Sequence, residues 1–336
     1  MVEKFLKQVE IVVASGKGGV GKSTITASLA ILLSEHGYRL IAVDADAEAP
    51  NLNLVLGITS WDEEIDYREG RYAEILMDKC IGCDLCREAC PFNAIEKRDD
   101  IYVVNKWICE GCYTCSFVCP VKAIRYTRGI VAGKIRVKYK TKYGFPLVSG
   151  EIVPGRPNSG KLVTEVKNTA KKIIGMDSYV LVDAAAGIGC QVISSLAGAH
   201  IAILVAEPTP ASYSDLRRIH KLTKHFGIPS ALIINKYDLN PGYAEEIISY
   251  ARKEKIDYLG EIPFDEKVHY AIASMKPLIK EYPESNASKA IREISLKVME
   301  ILDNISDWRI KYLPEKIEPF IPIVIRPGET PGLDKK

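Results

Sequence analysis

The chain has 336 residues, of which 45 are basic and 43 acidic, so its formal net charge is +2. This near balance gives no general attraction to nucleic acid or anionic lipid. Hydrophobic residues make up 47% and charged residues 26%, which excludes a largely disordered chain. No apolar run approaches the roughly 20 residues that a membrane span needs. With no recognisable signal peptide, we expect a cytoplasmic protein without stable membrane insertion or a nucleic-acid partner.

Apolar strands alternate with helical patterns along most of the chain. The predicted strands are 9–14, 39–44, 179–183, 200–206 and 230–235. The predicted helices are 21–35, 161–174, 211–226, 242–254 and 287–311. Continuous apolar strands separated by helices predict an α/β fold with a doubly wound, mainly parallel sheet covered on both faces.

A Gly-rich sequence follows the first strand and consists of Gly16, Lys17, Gly18, Gly19, Val20, Gly21, Lys22, Ser23 and Thr24. It fits the pattern Gly-x-x-x-x-Gly-Lys-Ser between a strand and a helix, which is the context of a phosphate-binding loop. Backbone N–H groups and the helix dipole would bind a polyphosphate there. We expect Lys22 to reach the β- and γ-phosphates and the Ser23 hydroxyl to hold Mg²⁺.

Eight of the nine cysteines form two copies of Cys-x₂-Cys-x₂-Cys-x₃-Cys-Pro, which is the pattern of ferredoxins with two [4Fe–4S] clusters. In that pattern the fourth cysteine of each run serves the other cluster. One predicted cluster therefore has the ligands Cys80, Cys83, Cys86 and Cys119. The other has Cys109, Cys112, Cys115 and Cys90. Zinc is the alternative because it also binds four cysteines, although its ligands usually come as two separated Cys-x₂-Cys units.

Strands become short and turns frequent around these cysteines. We predict a small α+β ferredoxin-like domain at 71–128, inserted into a P-loop ATPase domain formed by 1–70 and 129–313. An extended tail would follow at 314–336. After the insert, basic residues alternate with other residues from Lys134 to Lys142, which is typical of an edge strand protected by lysine. A docking site for an acidic partner is the alternative for this strand.

The phosphate loop contains an additional lysine, Lys17, before Lys22. This lysine makes the loop resemble the deviant Walker motif of MinD/ParA-type P-loop ATPases. The resemblance implies a nucleotide-dependent homodimer in which Lys17 reaches the partner's phosphates and acts in catalysis with Lys22. It also implies that Asp46 positions the attacking water. Magnesium would be held by Ser23 with Asp44 and with Asp183 of a Walker B-like strand. Gly187 would be the switch that senses the γ-phosphate.

The base pocket is predicted at two later segments. Asn235 to Asp238 match the Asn-Lys-x-Asp pattern that reads guanine in GTPases, whereas the asparagine at this strand end contacts adenine in MinD-like ATPases. The segment Ile262 to Asp265 is similar to the one that lines the adenine pocket in that family. We therefore expect Asn235, Pro263 and Asp265 to bind the base, with ATP favoured over GTP.

The ninth cysteine, Cys190, lies seven residues after Asp183. The nitrogenase iron protein, of the same class of NTPases, has a cluster ligand at this offset. Cys190 is thus either an interface ligand or a small buried residue at a helix start.

The resemblance covers nearly the whole chain. It implies a protein that hydrolyses ATP and uses ATP, Mg²⁺ and two [4Fe–4S] clusters. A nucleotide-driven dimer switch would be coupled to electron transfer or to metallocluster assembly. The partner would be a redox or metallocluster protein. One alternative is a positioning ATPase with structural clusters. The other is a ferredoxin with a regulatory nucleotide site.

Overall fold

The computed structural model describes residues 8–99, 101–155 and 159–314. The strands are β1 (Gln8–Ser15), β2 (Leu40–Ala45), β3 (Glu63–Ile75), β4 (Ile95–Arg98), β5 (Ile101–Val104), β6 (Ile124–Lys138), β7 (Leu147–Ile152), β8 (Ser178–Ala186), β9 (Ile201–Ala206), β10 (Ser230–Asn235) and β11 (Asp257–Ile262). The helices are α1 (Lys22–Glu35), α2 (Leu52–Val55), α3 (Leu85–Glu88), α4 (Thr114–Val118), α5 (Ser159–Ile174), α6 (Cys190–Leu196), α7 (Pro210–His225), α8 (Pro241–Lys253), α9 (Lys267–Ala273), α10 (Leu278–Glu281), α11 (Asn286–Asp303) and α12 (Ile305–Tyr312). Within these ranges, no helix is long and apolar enough to cross a membrane.

Nine strands form one sheet in the order β11-β10-β9-β1-β8-β2-β7-β6-β3. All neighbours from β11 to β7 are parallel, whereas β6 is antiparallel to both β7 and β3. Successive residues of β1 point to opposite faces, so that Ile11 enters the core beneath α1 and α11 while Val12 enters the core beneath α5, α7 and α8. The predicted α/β fold with a mostly parallel sheet is confirmed.

The helix predicted at 287–311 is interrupted. Asn304 separates α11 from α12, and its backbone leaves the helical region with φ −120° and ψ 34°. The tail predicted at 314–336 lies outside the described residues apart from Pro314.

Residues 76–99 and 101–123 are carried at the end of a long two-stranded ribbon. The strands β3 and β6 pair from Glu63 opposite Val137 to Ile75 opposite Ile124. At its base the ribbon extends the main sheet through β7. We call β3, β6 and the described residues between them together the arm. The domain boundaries predicted at 70/71 and 128/129 fall inside these two strands.

The basic strand after the cysteines is β6, which lies between β3 and β7 rather than at the edge. The edge-strand prediction is therefore wrong. The residues between β2 and the first cysteine run form β3, which pairs with β6 and occupies the edge of the sheet in its place. Acidic residues of neighbouring strands and of the turn before β3 pair with the basic ones. The ion pairs are Lys134–Glu64 at 2.7 Å, Arg136–Glu151 at 2.6 Å and Lys138–Asp62 at 2.7 Å.

A buried ionic cluster joins β1, α5 and α6. Glu10, only 1% exposed, contacts the ammonium groups of Lys167 at 2.5 Å and Lys171 at 2.6 Å. The Lys167 ammonium also donates to the carbonyls of residues 194, 195 and 197 at 2.7–2.9 Å. These carbonyls end α6 and lack partners within the helix, so a cation stabilises them. Lys167 thereby fixes α6 against α5.

Replacing Lys167 by Met should lower the free energy of unfolding by about 3 kcal/mol, because buried Glu10 loses one of its two cationic partners. Urea unfolding of the full chain measures this change. The exposed Lys172 of the same helix supplies the matched control Lys172→Met. Equal unfolding midpoints for the two variants would contradict a stabilising role for the buried cluster.

Candidate functional site

The phosphate loop joins the end of β1 to the start of α1 and packs closely against its surroundings. Gly21 precedes α1 with φ +89°, a left-handed conformation that favours glycine. A Cβ atom on Gly21 would lie 2.3 Å from Nδ2 of Asn235, and one on Gly16 would lie 2.5 Å from the backbone of Asp215. The Asn235 amide donates to the carbonyl of Val20 at 2.8 Å. Close contacts with β10 and α7 therefore hold the loop in place.

Lys22 of this loop is paired with the carboxylate at the end of the neighbouring strand. Its ammonium lies 2.7 Å from Oδ1 of Asp183, with 9% of the lysine side chain and none of the aspartate exposed. The hydroxyl of Thr26 lies 3.1 Å from the same oxygen. The second oxygen, Oδ2, is buried without a hydrogen-bond partner among the described residues. Because Mg²⁺ prefers oxygen ligands, this unpartnered oxygen fits a magnesium site.

Asp44 lies beside Asp183 on the adjacent strand, in direct register. Its Oδ1 accepts from the N–H of Asp46 at 3.2 Å, and its Oδ2 accepts from the N–H of Leu52 at 2.9 Å. Burial and the neighbouring charge of Asp183 raise the pKa of Asp44 to about 7. Asp44 therefore shapes the segment after β2 as well as lying next to the predicted magnesium ligand.

The two predicted switch segments meet next to these carboxylates. Asp46 is partly exposed, its Oδ1 accepts from the N–H of Ala49 at 3.2 Å, and burial raises its pKa. Gly187, with φ +95°, donates its N–H to the carbonyl of Ser15 at 2.9 Å. Ser23 is half-buried in the first turn of α1, and Lys17 is exposed. The structure thus brings together the predicted phosphate, magnesium and water-positioning residues, which come from β1, α1, β2 and β8.

The predicted base-binding residues mostly contact backbone groups. Asn235 holds the phosphate loop, as described above. Asp265 accepts from the N–H groups of Lys267 at 2.9 Å and Ala287 at 3.1 Å. Asp238 accepts from the N–H of Phe264 at 2.7 Å, which fixes the segment containing Pro263. Contacts of Asn235, Pro263 and Asp265 with a nucleotide base stay predictions.

The eight cysteines of the arm line two small cavities, four in each. The first is lined by Cys80, Cys83, Cys86 and Cys119, together with apolar residues such as Ile75 and Val121. The second is lined by Cys90, Cys109, Cys112 and Cys115, together with residues such as Ala73 and Phe92. Each set contains three cysteines of one sequence run and the fourth cysteine of the other run. This crossed grouping is the one that the ferredoxin pattern predicts.

The surroundings of the sulfur atoms repeat in the two halves. Backbone N–H groups of Ala94 and Ala123 point at Sγ of Cys90 and Cys119, at 3.3 and 3.2 Å. Burial raises the pKa of the Cys86 thiol to about 11, so a cation is needed to make it a thiolate at neutral pH. Among the described residues, no group of three or more His, Cys, Asp or Glu side chains is arranged to hold a metal ion.

Cys190 begins α6 and is exposed. The alternative of a small buried residue is therefore wrong, and the role of an interface ligand stays a prediction. The next residue, Gln191, belongs to the site although no sequence signal singles it out. Its Oε1 accepts from the N–H of Ala47 at 2.8 Å and so joins the two switch segments.

A mostly parallel sheet with a phosphate loop between β1 and α1 defines a P-loop nucleotide-binding protein. Residues 11–278 match the family described as CobQ/CobB/MinD/ParA nucleotide binding domain, and the chain belongs to this family.

Similar sequences and structures agree with that membership. The uncharacterized protein MJ0578 of Methanocaldococcus jannaschii is 34% identical over 299 residues, which cover 88% of this chain and 98% of the relative. The antiactivator FleN of Pseudomonas aeruginosa is 24% identical over 299 residues, covering 86% of this chain and 85% of FleN. The septum site-determining protein MinD of Pyrococcus horikoshii, solved with Mg-ADP, has the same fold with a TM-score of 0.53 and 22% identity, covering 88% and 97% of the two chains.

Alanine substitutions at three loop glycines should separate backbone strain from steric overlap. Gly18 has an ordinary φ and a nearest contact of 3.9 Å, so its variant should match the unfolding free energy of the parent chain. Gly19 has φ +78° and open space, so its variant should lose about 1 kcal/mol from strain alone. Gly21 combines strain with overlap and should lose more. Urea unfolding without nucleotide measures the series, and equal losses at Gly19 and Gly21 would contradict the close contact with Asn235.

Proposed function

We propose that the chain is an ATP-driven switch of the MinD/ParA type whose arm carries two [4Fe–4S] clusters. The crossed grouping of the eight cysteines around two cavities supports the cluster assignment. We propose further that the switch controls electron transfer or metallocluster delivery from the arm to a partner protein.

The cavities favour iron–sulfur clusters over zinc. Four sulfurs bound to one zinc ion at about 2.3 Å would lie almost in contact with one another. A cube of iron and sulfide holds its four thiolates farther apart, which suits four cysteines that surround a cavity. The backbone N–H groups directed at sulfur would stabilise the thiolate charge. Such clusters supply one-electron transfer.

The contacts of Lys22 indicate how the nucleotide site would work. Its ammonium neutralises Asp183. The β- and γ-phosphates would compete for Lys22, and the unpartnered Oδ2 of Asp183 would hold Mg²⁺ together with the Ser23 hydroxyl. Asp46, whose carboxylate is partly exposed, would then orient the attacking water, and Gly187 would move with the γ-phosphate.

The exposed side chain of Lys17 supports a composite site. A lysine that lies at the surface of the phosphate loop is available to the phosphates of a second copy. ATP would therefore bring two subunits together, and hydrolysis would release them. Because the arm begins only 17 residues after Asp46 along the chain, this cycle would change how the arm meets its partner.

A positioning ATPase with structural clusters is the second candidate, and the relatives with printed roles favour it. They include FleN and a putative septum site-determining protein MinD of Chlorella vulgaris, which is 27% identical over 280 residues. Under this candidate, lipid vesicles or DNA would stimulate ATP hydrolysis, and the redox state of the chain would not matter. Under our proposal, reduction of the chain would change the hydrolysis rate, and vesicles and DNA would have no effect.

The crossed cysteine sets give a direct test of the cluster proposal. Chain reconstituted without oxygen should bind about eight iron atoms and eight sulfides. The double variant Cys86→Ala with Cys119→Ala removes two residues from one cavity and should lose about half of the iron. The double variant Cys86→Ala with Cys90→Ala removes one residue from each cavity and should lose nearly all of it.

Cys190→Ser, outside both cavities, is the control for the arm and should retain the eight iron atoms of the two clusters. Loss of any iron bound beyond those eight would assign Cys190 as the predicted interface ligand. Equal iron contents in the two double variants would contradict the assignment. So would a metal analysis that finds one zinc ion per cavity in place of iron.

Lys17→Ala tests the composite site. This variant should keep its iron and its ADP affinity, but its rate of ATP hydrolysis should fall at least tenfold. In the parent chain, the specific activity should rise with protein concentration because hydrolysis needs the dimer, and this rise should be absent from the variant. Analytical ultracentrifugation with a non-hydrolysable ATP analogue should show monomers. Full turnover at the parent rate would contradict the dimer switch. The control is Lys221→Ala, which removes an exposed lysine of α7 outside the phosphate loop.

A further inference from the structure

We infer that Gln191 is a positioning residue that transmits the nucleotide state to the arm through the backbone of Ala47. This inference rests on the proposed ATP-driven switch. The structural basis is a chain of buried contacts that begins beside the predicted water-positioning residue and ends at the base of the ribbon.

Ala47 is held on both sides of its backbone. Its N–H donates to Oε1 of Gln191 at 2.8 Å, and its carbonyl accepts from the N–H of Ile152 at 2.8 Å. Ala47 is fully buried and Gln191 is 7% exposed. Because a buried N–H that loses its partner is costly, Gln191 and Ala47 should move together. Asp46 directly precedes Ala47, so the same motion would displace its carboxylate.

The contact with Ile152 leads into the arm. Ile152 ends β7 and is paired with Gly133 of β6, and the next residue, Val153, donates its N–H to the carbonyl of Ala132 at 2.8 Å. The strand β6 runs from this point to Ile124, next to the cysteine cavities, with one bulge at Ala132 in its pairing with β3. A displacement of Ala47 is therefore applied to a strand that reaches the far end of the arm.

The helix that carries Gln191 is also attached to the other strand of the ribbon. A Cβ atom on Gly160 of α5 would lie 2.9 Å from the carbonyl of Cys190, so α5 and the start of α6 are in close contact. Lys167 fixes the other end of α6 to α5, as described above. Lys161 of α5 then pairs with Glu69 of β3 at 3.4 Å. Motion of α6 would therefore act on both β3 and β6.

The segment between Gly187 and Gln191 connects this assembly to the γ-phosphate. Gly187 is anchored only four residues before Gln191, by its bond to Ser15 at the end of β1. A change at Gly187 on ATP binding would shift the start of α6. The buried contacts of Gln191 would convert this shift into a change of strand position at the base of the arm.

Hydrogen–deuterium exchange of the full reconstituted chain, with Mg-ADP or with Mg²⁺ and a non-hydrolysable ATP analogue, tests this inference. In the parent chain, the two nucleotides should give different exchange in peptides from 44–56 and from 124–138. Gln191→Met keeps the side-chain length but removes the acceptor, and should reduce the difference in 124–138 at least fivefold. Gln191→Glu keeps an acceptor oxygen and should retain at least half of the difference.

Gln8→Met is the matched control, because the Gln8 side chain also bonds to backbone groups. Its amide donates to the part-buried carbonyls of Lys171 and Gly175, away from the contacts of Gln191. It should behave as the parent chain, and all variants are compared with the nucleotide site saturated. A full response of 124–138 in Gln191→Met, or its complete loss in Gln191→Glu, would overturn the inference while leaving the switch intact. An unresponsive arm in the parent chain with nucleotide bound would overturn the proposed coupling itself.

Discussion

The ion pair between Lys22 and Asp183 is the contact on which the nucleotide site depends. It joins the first turn of α1 to the end of β8 in a region closed to solvent. A buried charge without a partner is strongly destabilising, so the pair fixes the loop, the helix and the strand relative to one another. Asp44, in register with Asp183, is held against this pair and in turn shapes the segment that contains Asp46.

The arm extends the main sheet instead of hanging from a flexible linker. Its strands continue the hydrogen-bonded order beyond β7, so a displacement at the sheet edge is carried along the ribbon. The distal part has only a small core, which includes Cys86, Cys115, Ile95 and Tyr102. A core of this size rarely supports a domain alone. Clusters bound by the cysteines would therefore stabilise the arm as well as carry electrons.

Local patterns in the sequence predict the site better than the arm. The phosphate loop and the apolar strands have short-range signals, and the strands begin and end within one residue of the predicted positions, except that β8 continues to Ala186 instead of ending at Asp183. The strand β3 has apolar residues at alternate positions only near its two ends, and Glu69, Gly70 and Arg71 interrupt this pattern, so its full length and its pairing with β6 could not be read from the sequence. The bond between Gln191 and Ala47 spans 144 residues and has no local signal. The ion pair between Glu10 and Lys167 does have a local signal in the sequence, because each charged residue interrupts a run of buried apolar residues.

The central claim is that nucleotide and arm influence each other in one chain. A redox titration of the reconstituted full chain, followed by electron paramagnetic resonance with and without Mg²⁺ and a non-hydrolysable ATP analogue, tests it most directly. If the two sites are coupled, the midpoint potential should shift, and a shift of about 60 mV would correspond to a tenfold difference in nucleotide affinity between the oxidised and reduced chain. Identical potentials with the nucleotide site saturated would contradict the account.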